Sequence, residues 1–587
     1  MKQLIEVISC ELKEAFVRLG YNEKYGDVTL SNRPDLCQYQ CNGALAAAKE
    51  YGKAPFIIAD EVVKEVSGSA TFKEITMVRP GFINIILSDQ FLSEYVTSMK
   101  MEEHFGIDKA ENPKKIMIDY GGPNVAKPLH VGHLRSAVIG ESLKRIGLFM
   151  GHEVIGDVHL GDWGLQMGLI IEELKRRQPE LVYFDESFTG EYPKEAPFTI
   201  AELEEIYPAA NAYSKECPEF REAAKEATNQ LQQGRPGYRA IWNHILEISV
   251  TDLKKNYKNL NVEFDLWKGE SDVQELIPGI VEDLKQRGFA YESEGALVVD
   301  VKEEEDTKEV PPCMILKSDG SAIYATTDIA TLVERRDLFN PDEVKYVVDK
   351  RQDLHFTQVF RCCKKTGLVN ADTKLTFLGF GTMNGKDGKP FKTRDGGVMR
   401  LENLIANIND EVLKKMMENR EMDEEEAKSI ASMIGLAALK YGDLSNQASK
   451  DYIFDIDRFT SFEGNTGPYI LYTIVRIKSI LNKYKETHEV TDSKILPATS
   501  TSQTELMLEL AKVNGVIQGA YDENAPHRIC QYIYDLSNAF NRFYHENKIL
   551  AEENKDVQAS WIQLIVLTKD ILTTCIELLG FSAPERM

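Results

Sequence analysis

The chain has 587 residues, 69 Lys plus Arg against 93 Asp plus Glu, a formal net charge of −24 at pH 7, and 43% hydrophobic residues. A chain of that length divides into several domains of ordinary globular make-up; its evenly spread acidity argues against a protein that coats nucleic acid non-specifically, although a specific nucleic-acid partner needs only a local basic patch. No run approaches the roughly 18 uninterrupted apolar residues of a membrane span, and nine cysteines without a zinc-like CxxC pair point to reduced thiols in a cytoplasmic protein.

MKQLIEVISCELKEAF, at the start, has acids mixed through it and reads as an amphipathic helix, without the continuous apolar core of a signal segment. GALAAAKEYG (43–52) is a helix ending in glycine and FINIILS (82–88) a short strand; GIDKAENPKK (106–115) is polar, carries a proline and marks a linker. A small α+β domain is therefore expected over 1–112. KIMIDY (115–120) is an apolar run bounded by Gly121, Gly122 and Pro123, the mark of a buried strand. From about His130 the apolar positions Leu134, Ile139, Leu143, Ile146 and Met150 keep near-helical spacing up to the stop signal Gly151, and EVIGDVHL (153–160) is the next strand. Strand, loop, helix, strand is the βαβ unit of a parallel sheet.

Residues from about 170 to 300 are charged and mostly helical, most plainly in EFREAAKEATNQLQQG (219–234), and are expected to form a helical insertion. CMILKSDGSAIYATTD (313–328) reads as strand, tight turn, strand; VKYVVD (344–349) and KLTFLGFG (374–381) are further strands with a helix between them. The exposed loop NGKDGKPFKTRDGG (384–397) leaves this second α/β half. An α/β domain with a Rossmann-type parallel sheet is thus expected over 113–455. The remainder, 456–587, reads as an all-α bundle, its last helix marked by Trp561, Leu564, Ile565, Ile571, Leu572, Cys575, Ile576 and Leu579 on one face before Gly580.

PNVAKPLHVGHLRSA (123–137) sets His130 and His133 where a strand hands over to a helix, with Lys127 just upstream. The first N–H groups of that helix lack partners and its dipole favours anions. Gly132 has no Cβ, so a bulky group can approach the backbone. Imidazoles one turn apart project on one face and can donate hydrogen bonds to phosphate oxygens as negative charge grows on them. Two unrelated surface histidines would explain an isolated HxGH, and a zinc site would need further ligands that are not spaced nearby. KPFKTR (389–394) puts Lys389, Lys392 and Arg394 on a glycine-rich loop after the last strand. Alone, such a turn is ordinary solvated surface. Together the two features describe phosphoryl chemistry at the carboxyl ends of parallel strands, where open α/β sheets bind ligands.

On these residues the sequence resembles the class I aminoacyl-tRNA synthetases: HVGH is similar to their HIGH signature and KPFKT to their KMSKS loop. DYGGPNVAKPLHVGHLRSAVIGESLKRI, HLGDWGLQMG, AIYATTDIA, VVDKRQDLHF and GKPFKTRDGG, in this order, resemble arginyl-tRNA synthetase. NGALAAAK near the start, and GNTGPYILYTIVRI and DLSNAFNRFYHENKIL near the end, extend the resemblance along most of the chain. It implies a Rossmann-type catalytic domain with a helical insertion, a small N-terminal domain touching the tRNA elbow and a helical anticodon-binding domain. It also implies the activation of L-arginine with ATP and Mg2+ and the transfer of the arginyl group to the terminal ribose of tRNA(Arg), by a cytoplasmic monomer without membrane attachment.

The resemblance further implies roles for individual residues. Lys127, His130, His133 and Lys392 would be catalytic; His130, Gly132, His133, Lys389 and Lys392 would bind ATP, with no metal ligand supplied by the chain. Pro390 and Phe391 depart from KMSKS. Since members that lose the second lysine of that motif use the one before HIGH, the division of labour between Lys127 and Lys392 stays open. A guanidinium is planar, permanently charged and rich in donors, so its pocket calls for acids and other acceptors; the family pattern points to Asp119, Asn124, Tyr324, Asp328 and Gln352, with Asn124 and Gln352 at the α-amino or carboxylate end. Asp328 could instead be a helix N-cap, Asp119 a solvated strand-end acid and Tyr324 a core residue.

In the anticodon region Tyr469, Tyr472, Phe540, Phe543 and Tyr544 could meet unstacked bases or equally belong to a helical core, and Arg476 and Lys478 could meet phosphate. Buried hydrogen bonds can discriminate by about 10⁴–10⁵, so no editing site is expected, and the insertion reads as structural or as a contact for the tRNA acceptor end. The alternatives are a class I synthetase for another amino acid and a non-catalytic tRNA-binding paralogue. The intact Lys127, His130, His133 and Lys392 argue against the second.

Overall fold

Lys115–Tyr120 is the middle strand of a five-stranded parallel sheet and is buried along nearly all its length, as expected of a strand covered on both faces. The structure, a computed structural model, describes residues 1–389, 399–418, 423–490 and 492–587. Glu153–Leu160 flanks the middle strand on one side and Glu343–Asp349 on the other; Leu266–Gly269 and Lys374–Phe380 are the edges. Ile118 lies opposite Gly156 in one register and opposite Lys345 in the other. Strand order therefore reverses between Lys115–Tyr120 and Glu343–Asp349, which opens a crevice at their carboxyl ends. The helix Val131–Phe149 makes the first crossover and lies close on the sheet. Close approach requires Gly140, where a Cβ would fall 2.2 Å from Cγ of Tyr120.

Two stretches differ from the expectation. The helical insertion expected over about 170–300 comprises the helices Leu165–Arg177, Ile200–Glu216, Pro218–Gln232 and Pro236–Asn259, after which Leu266–Gly269 returns to the parallel sheet beside Glu153–Leu160. That edge strand is four residues long and only partly buried, too short to leave an apolar run. Second, the turn after Cys313–Leu316 does not lead into a strand. Leu316 and Ala322 make one isolated bridge, and a helix, Tyr324–Phe339, begins at once. The Thr326 hydroxyl accepts the Ile323 N–H at 3.4 Å and donates to the Ile315 carbonyl, so a local cap overrides the strand-like Thr-Thr pair. Cys313–Leu316 pairs instead with Ala296–Val299 in a small antiparallel sheet. Ile329, Val344, Val359 and Cys362 lie in the core between the Tyr324–Phe339 and Asp353–Thr366 helices and the parallel sheet.

This α/β unit takes in Ala110–Ser461 and Leu578–Phe581. A second compact unit is made of Met1–Lys109, Phe462–Glu577 and Ser582–Met587. Its N-terminal part is a four-stranded antiparallel sheet, ordered Val28–Leu30, Tyr39–Cys41, Phe82–Leu87, Phe72–Val78, with the helices Leu4–Arg18, Gly43–Tyr51, Pro55–Val66 and Asp89–Met101. Its C-terminal part is helical, and Asp89–Met101 packs directly on Thr501–Leu510. The last helix, Lys555–Leu578, is long and apolar enough to cross a membrane, but 67% of its most apolar window is buried in the protein. The face expected from Trp561 to Leu579 is the buried one. The one strand after residue 400 among the described residues, Tyr452–Ile453, pairs in parallel with Met383–Asn384.

Candidate active site

His130 ends the loop that leaves the middle strand and is itself the N-cap of Val131–Phe149. Its Nδ1 accepts the Gly132 N–H at 3.0 Å, and its own N–H donates to Nδ1 of His133 at 3.3 Å. Two imidazoles thus form the reciprocal capping box that Ser or Thr and Glu make elsewhere. Their ring centroids lie 3.9 Å apart. With both Nδ1 atoms accepting, each neutral ring carries its proton on Nε2, the edge turned from the backbone. A Cβ at Gly132 would lie 2.7 Å from Cε1 of His130, so a side chain there would displace the ring. Burial lowers the pKa of His133 to about 3, aided by His130 and the Lys127 ammonium; burial and Lys127 lower that of His130 as well. At neutral pH both rings are uncharged donors.

The histidine helix is fixed to its surroundings by Ser136 and Arg135. The Ser136 hydroxyl accepts the Gly121 N–H at 2.7 Å and donates to the Val347 carbonyl at 2.6 Å, bridging the crevice walls. Buried Arg135 pairs with Asp443 at 2.9 Å and donates to the Gly381 and Lys450 carbonyls. The Val131 N–H donates to the Met399 carbonyl and the Leu401 N–H to the Leu129 carbonyl, so the chain returning from the basic loop is stitched to the histidine loop.

Asp119, Asn124, His130, Gly132, His133, Tyr324, Asp328 and Gln352 line one cleft of about 730 Å³ at the switch point. Lys127 is not on its lining; its ammonium sits 4.7 Å from the Tyr207 ring centroid, reaching the imidazoles through its field. Lys389 is exposed and also off the lining. Lys392 and Arg394 lie outside the described residues. Asp119 is not a solvated strand-end acid. It is buried, and its Oδ2 is 2.6 Å from Nη2 of the fully buried Arg335, which Asp157 shares at 2.6 Å. Tyr324 is not core either, being 72% exposed as the first residue of its helix. Asp328 is one turn further in, so it does not cap; it accepts a 2.6 Å hydrogen bond from Nε2 of His355.

Several groups at the cleft escaped the sequence reading, His355, Glu270 and Arg335 among them. His355 and Glu270 line it, and Arg335 lies beneath. Burial, Asp162 and Asp328 push the Glu270 carboxyl up to about 7. Arg335 had a legible signal, a charge on the apolar stripe of its helix; Glu270 and His355 had none, because their partners are distant in sequence. Acids and neutral imidazole N–H donors thus line the same cleft.

In the second unit Phe540 and Phe543 are fully buried and are core. Tyr472 is exposed, with the Arg476 guanidinium 4.7 Å from its ring and 5.4 Å from that of Tyr544; Tyr469 donates to Asn538. Lys478 is engaged by Glu585 at 2.7 Å.

The family model for tRNA synthetases class I (R), catalytic domain, matches residues 95–456, so the parallel sheet and its histidine cleft are those of a class I aminoacyl-tRNA synthetase. The arginyl tRNA synthetase N terminal domain model matches residues 2–87 and the DALR anticodon binding domain model residues 470–587. The chain is 64% identical to an arginine–tRNA ligase of Agathobacter rectalis and 57% identical to one of Alkaliphilus oremlandii, in each case over the whole of both chains. The crystal structure of arginyl-tRNA synthetase from Plasmodium falciparum superposes with a TM-score of 0.81 at 27% identity, with both chains fully covered. That of the Thermus thermophilus enzyme shares the fold, with a TM-score of 0.78 at 22% identity and the same coverage. The chain belongs to the arginine–tRNA ligase family.

Proposed function

We propose that the chain activates L-arginine with ATP to arginyl-adenylate, releasing pyrophosphate, and transfers the arginyl group to the terminal ribose of tRNA(Arg). The observation that carries this reading is the shared cleft: neutral imidazole donors at a helix mouth and neighbouring carboxylates in one cavity. A cationic amino acid bridges the two. Its guanidinium goes to Asp328 and Asp119, its α-amino and carboxylate groups to Asn124 and Gln352, and Tyr324 covers it. The arginine carboxylate then attacks the α-phosphorus, the α–β phosphoanhydride bond breaks, and the electron pair leaves on pyrophosphate. No side-chain nucleophile is needed; positioning and donors aimed at the growing charge supply the acceleration. The Nε2–H groups of His130 and His133 serve the phosphate oxygens, with Lys127, Lys389 and Lys392 as the cations. In the second step the ribose hydroxyl attacks the activated carbonyl and AMP leaves.

Among the described residues no group of three or more His, Cys, Asp or Glu forms a metal-ligand set. Mg2+ would enter on the ATP phosphates, whose oxygens suit it. We assign residues 1–112 to the tRNA elbow, 113–455 to catalysis and 456–587 to the anticodon, in a cytoplasmic monomer. The experiment is charging of a total tRNA pool with each labelled amino acid by wild type and His133→Ala. Arginine alone is attached, and the variant is severely slowed at low and at saturating ATP. Attachment of a different amino acid, or a fully active variant, overturns the reading.

A further inference from the structure

Asp328, the acid on which the proposed guanidinium grip rests, is held rather than free. His355 reaches it from the first turn of Asp353–Thr366, with Nε2 2.6 Å from Oδ2. Both side chains are sheltered, 29% and 22% exposed. A carboxylate only accepts, so the imidazole donates its Nε2 hydrogen. Among the acids of the cleft, Glu270 lies near enough for its charge and that of Asp328 to interact. Ionised Glu270 repels the Asp328 carboxylate. Both residues line the cleft, so the bond that holds Oδ2 leaves Oδ1 and the remaining lone pairs as the acceptors for a ligand. A planar guanidinium fork needs acceptors held at a set angle for a two-point contact.

We infer that His355 is a positioning residue for amino-acid selection: it sets the affinity for the cationic substrate by holding Asp328, and it does not act on ATP. The inference rests on the reading of Asp328 as the guanidinium acceptor.

The test measures KM for arginine, KM for ATP, kcat and thermal midpoint in aminoacylation-competent enzyme. The variants are His355→Ala, His355→Gln, Asp328→Asn and the double variant His355→Ala with Asp328→Asn. His355→Ala raises the arginine KM by roughly tenfold or more, as loss of one charge-assisted hydrogen bond should, and leaves kcat and the ATP KM within about twofold. His355→Gln, which keeps an N–H at a similar reach, recovers most of the loss. The double variant is no worse than Asp328→Asn alone, because the two side chains act as one unit. If His355→Ala changes both KM values, kcat and the midpoint together, or if the single penalties add, His355 is packing and the inference is overturned. Normal arginine KM in His355→Ala beside a raised one in Asp328→Asn overturns the role of His355 alone. An unchanged arginine KM in Asp328→Asn overturns the assignment of Asp328, and that of His355 with it.

Discussion

His133 has two separable tasks, and three substitutions pull them apart. Its Nδ1 accepts the His130 N–H at 3.3 Å, a capping contact, while its Nε2–H is free for a phosphate oxygen. Asparagine reproduces an acceptor at the Nδ1 position but cannot reach where Nε2 stood. Glutamine places an amide N–H near the Nε2 position and gives up the cap. Alanine loses both. A lost cap costs about 0.5–2 kcal/mol of stability. A lost donor to developing charge costs about 2.7–4 kcal/mol of barrier, about 10²–10³ in kcat. His133→Asn should therefore be nearly as stable as wild type and roughly 10²–10³-fold slower at saturating ATP. His133→Gln should be measurably less stable and much less impaired, and His133→Ala should show both losses. ATP–pyrophosphate exchange with arginine and tRNA present gives the rates, and urea denaturation the stabilities. An Asn variant as active as the Gln variant would refute the division of roles, and a Gln variant as slow as alanine yet stably folded would refute the Nε2 donor.

Three further outcomes follow from the same geometry. The folded pKa of His133, about 3, lies below the ordinary 6.5, so below pH 6.5 the unfolded chain gains a proton that the native ring refuses. Stability through this group falls from pH 6.5 to about 3 and is level below; at pH 5 the loss is about 2 kcal/mol, and urea midpoints at pH 7 and 5 should show that drop in wild type but not in His133→Asn. Arg335→Met strands the buried Asp119 and Asp157 carboxylates and should cost about 3–5 kcal/mol, read by urea denaturation; a cost below about 1 kcal/mol would show that the two acids find other partners. Gly132→Ala forces a Cβ to within 2.8 Å of Nδ1 of His130, so the ring must shift. The expected cost is about 10²-fold in kcat with the thermal midpoint little changed, and a normal kcat would mean that the His130 ring position is not critical.

The parallel sheet was legible because strands buried on both faces leave unbroken apolar runs, as in KIMIDY and VKYVVD. Leu266–Gly269 left none, because an edge strand of four residues that is only partly buried needs little apolar character. The Tyr324 helix hid behind Ala-Thr-Thr, whose β-branched residues favour strands in isolation but here close a cap against Ile315. HVGH was legible because its chemistry is local: both imidazoles bind backbone within the same turn. His355 and Asp328 are 27 residues apart in sequence, and no spacing rule joins them. Arg335, Asp119 and Asp157 come together only through the sheet and the helix packed on it.

The electrostatics of the cleft make a last prediction about the proton. Glu270, pushed up to about 7 by burial and by Asp162 and Asp328, is partly protonated at neutral pH. Both imidazoles are held neutral, so the rings themselves add no repulsion toward an arriving guanidinium. A cation within a few ångströms favours the ionised form of a carboxyl. Glu270 should then lose its remaining proton when arginine binds, releasing a fraction of a proton at pH 7. Calorimetric titration of the enzyme with arginine, in buffers of different ionisation enthalpy, measures that release directly. The apparent heat should change with the buffer in wild type and lose most of that dependence in Glu270→Gln. A heat independent of buffer in wild type would mean that the guanidinium binds too far from Glu270 to feel it, and its acceptors would then have to be sought in Asp119 and Asp328 alone.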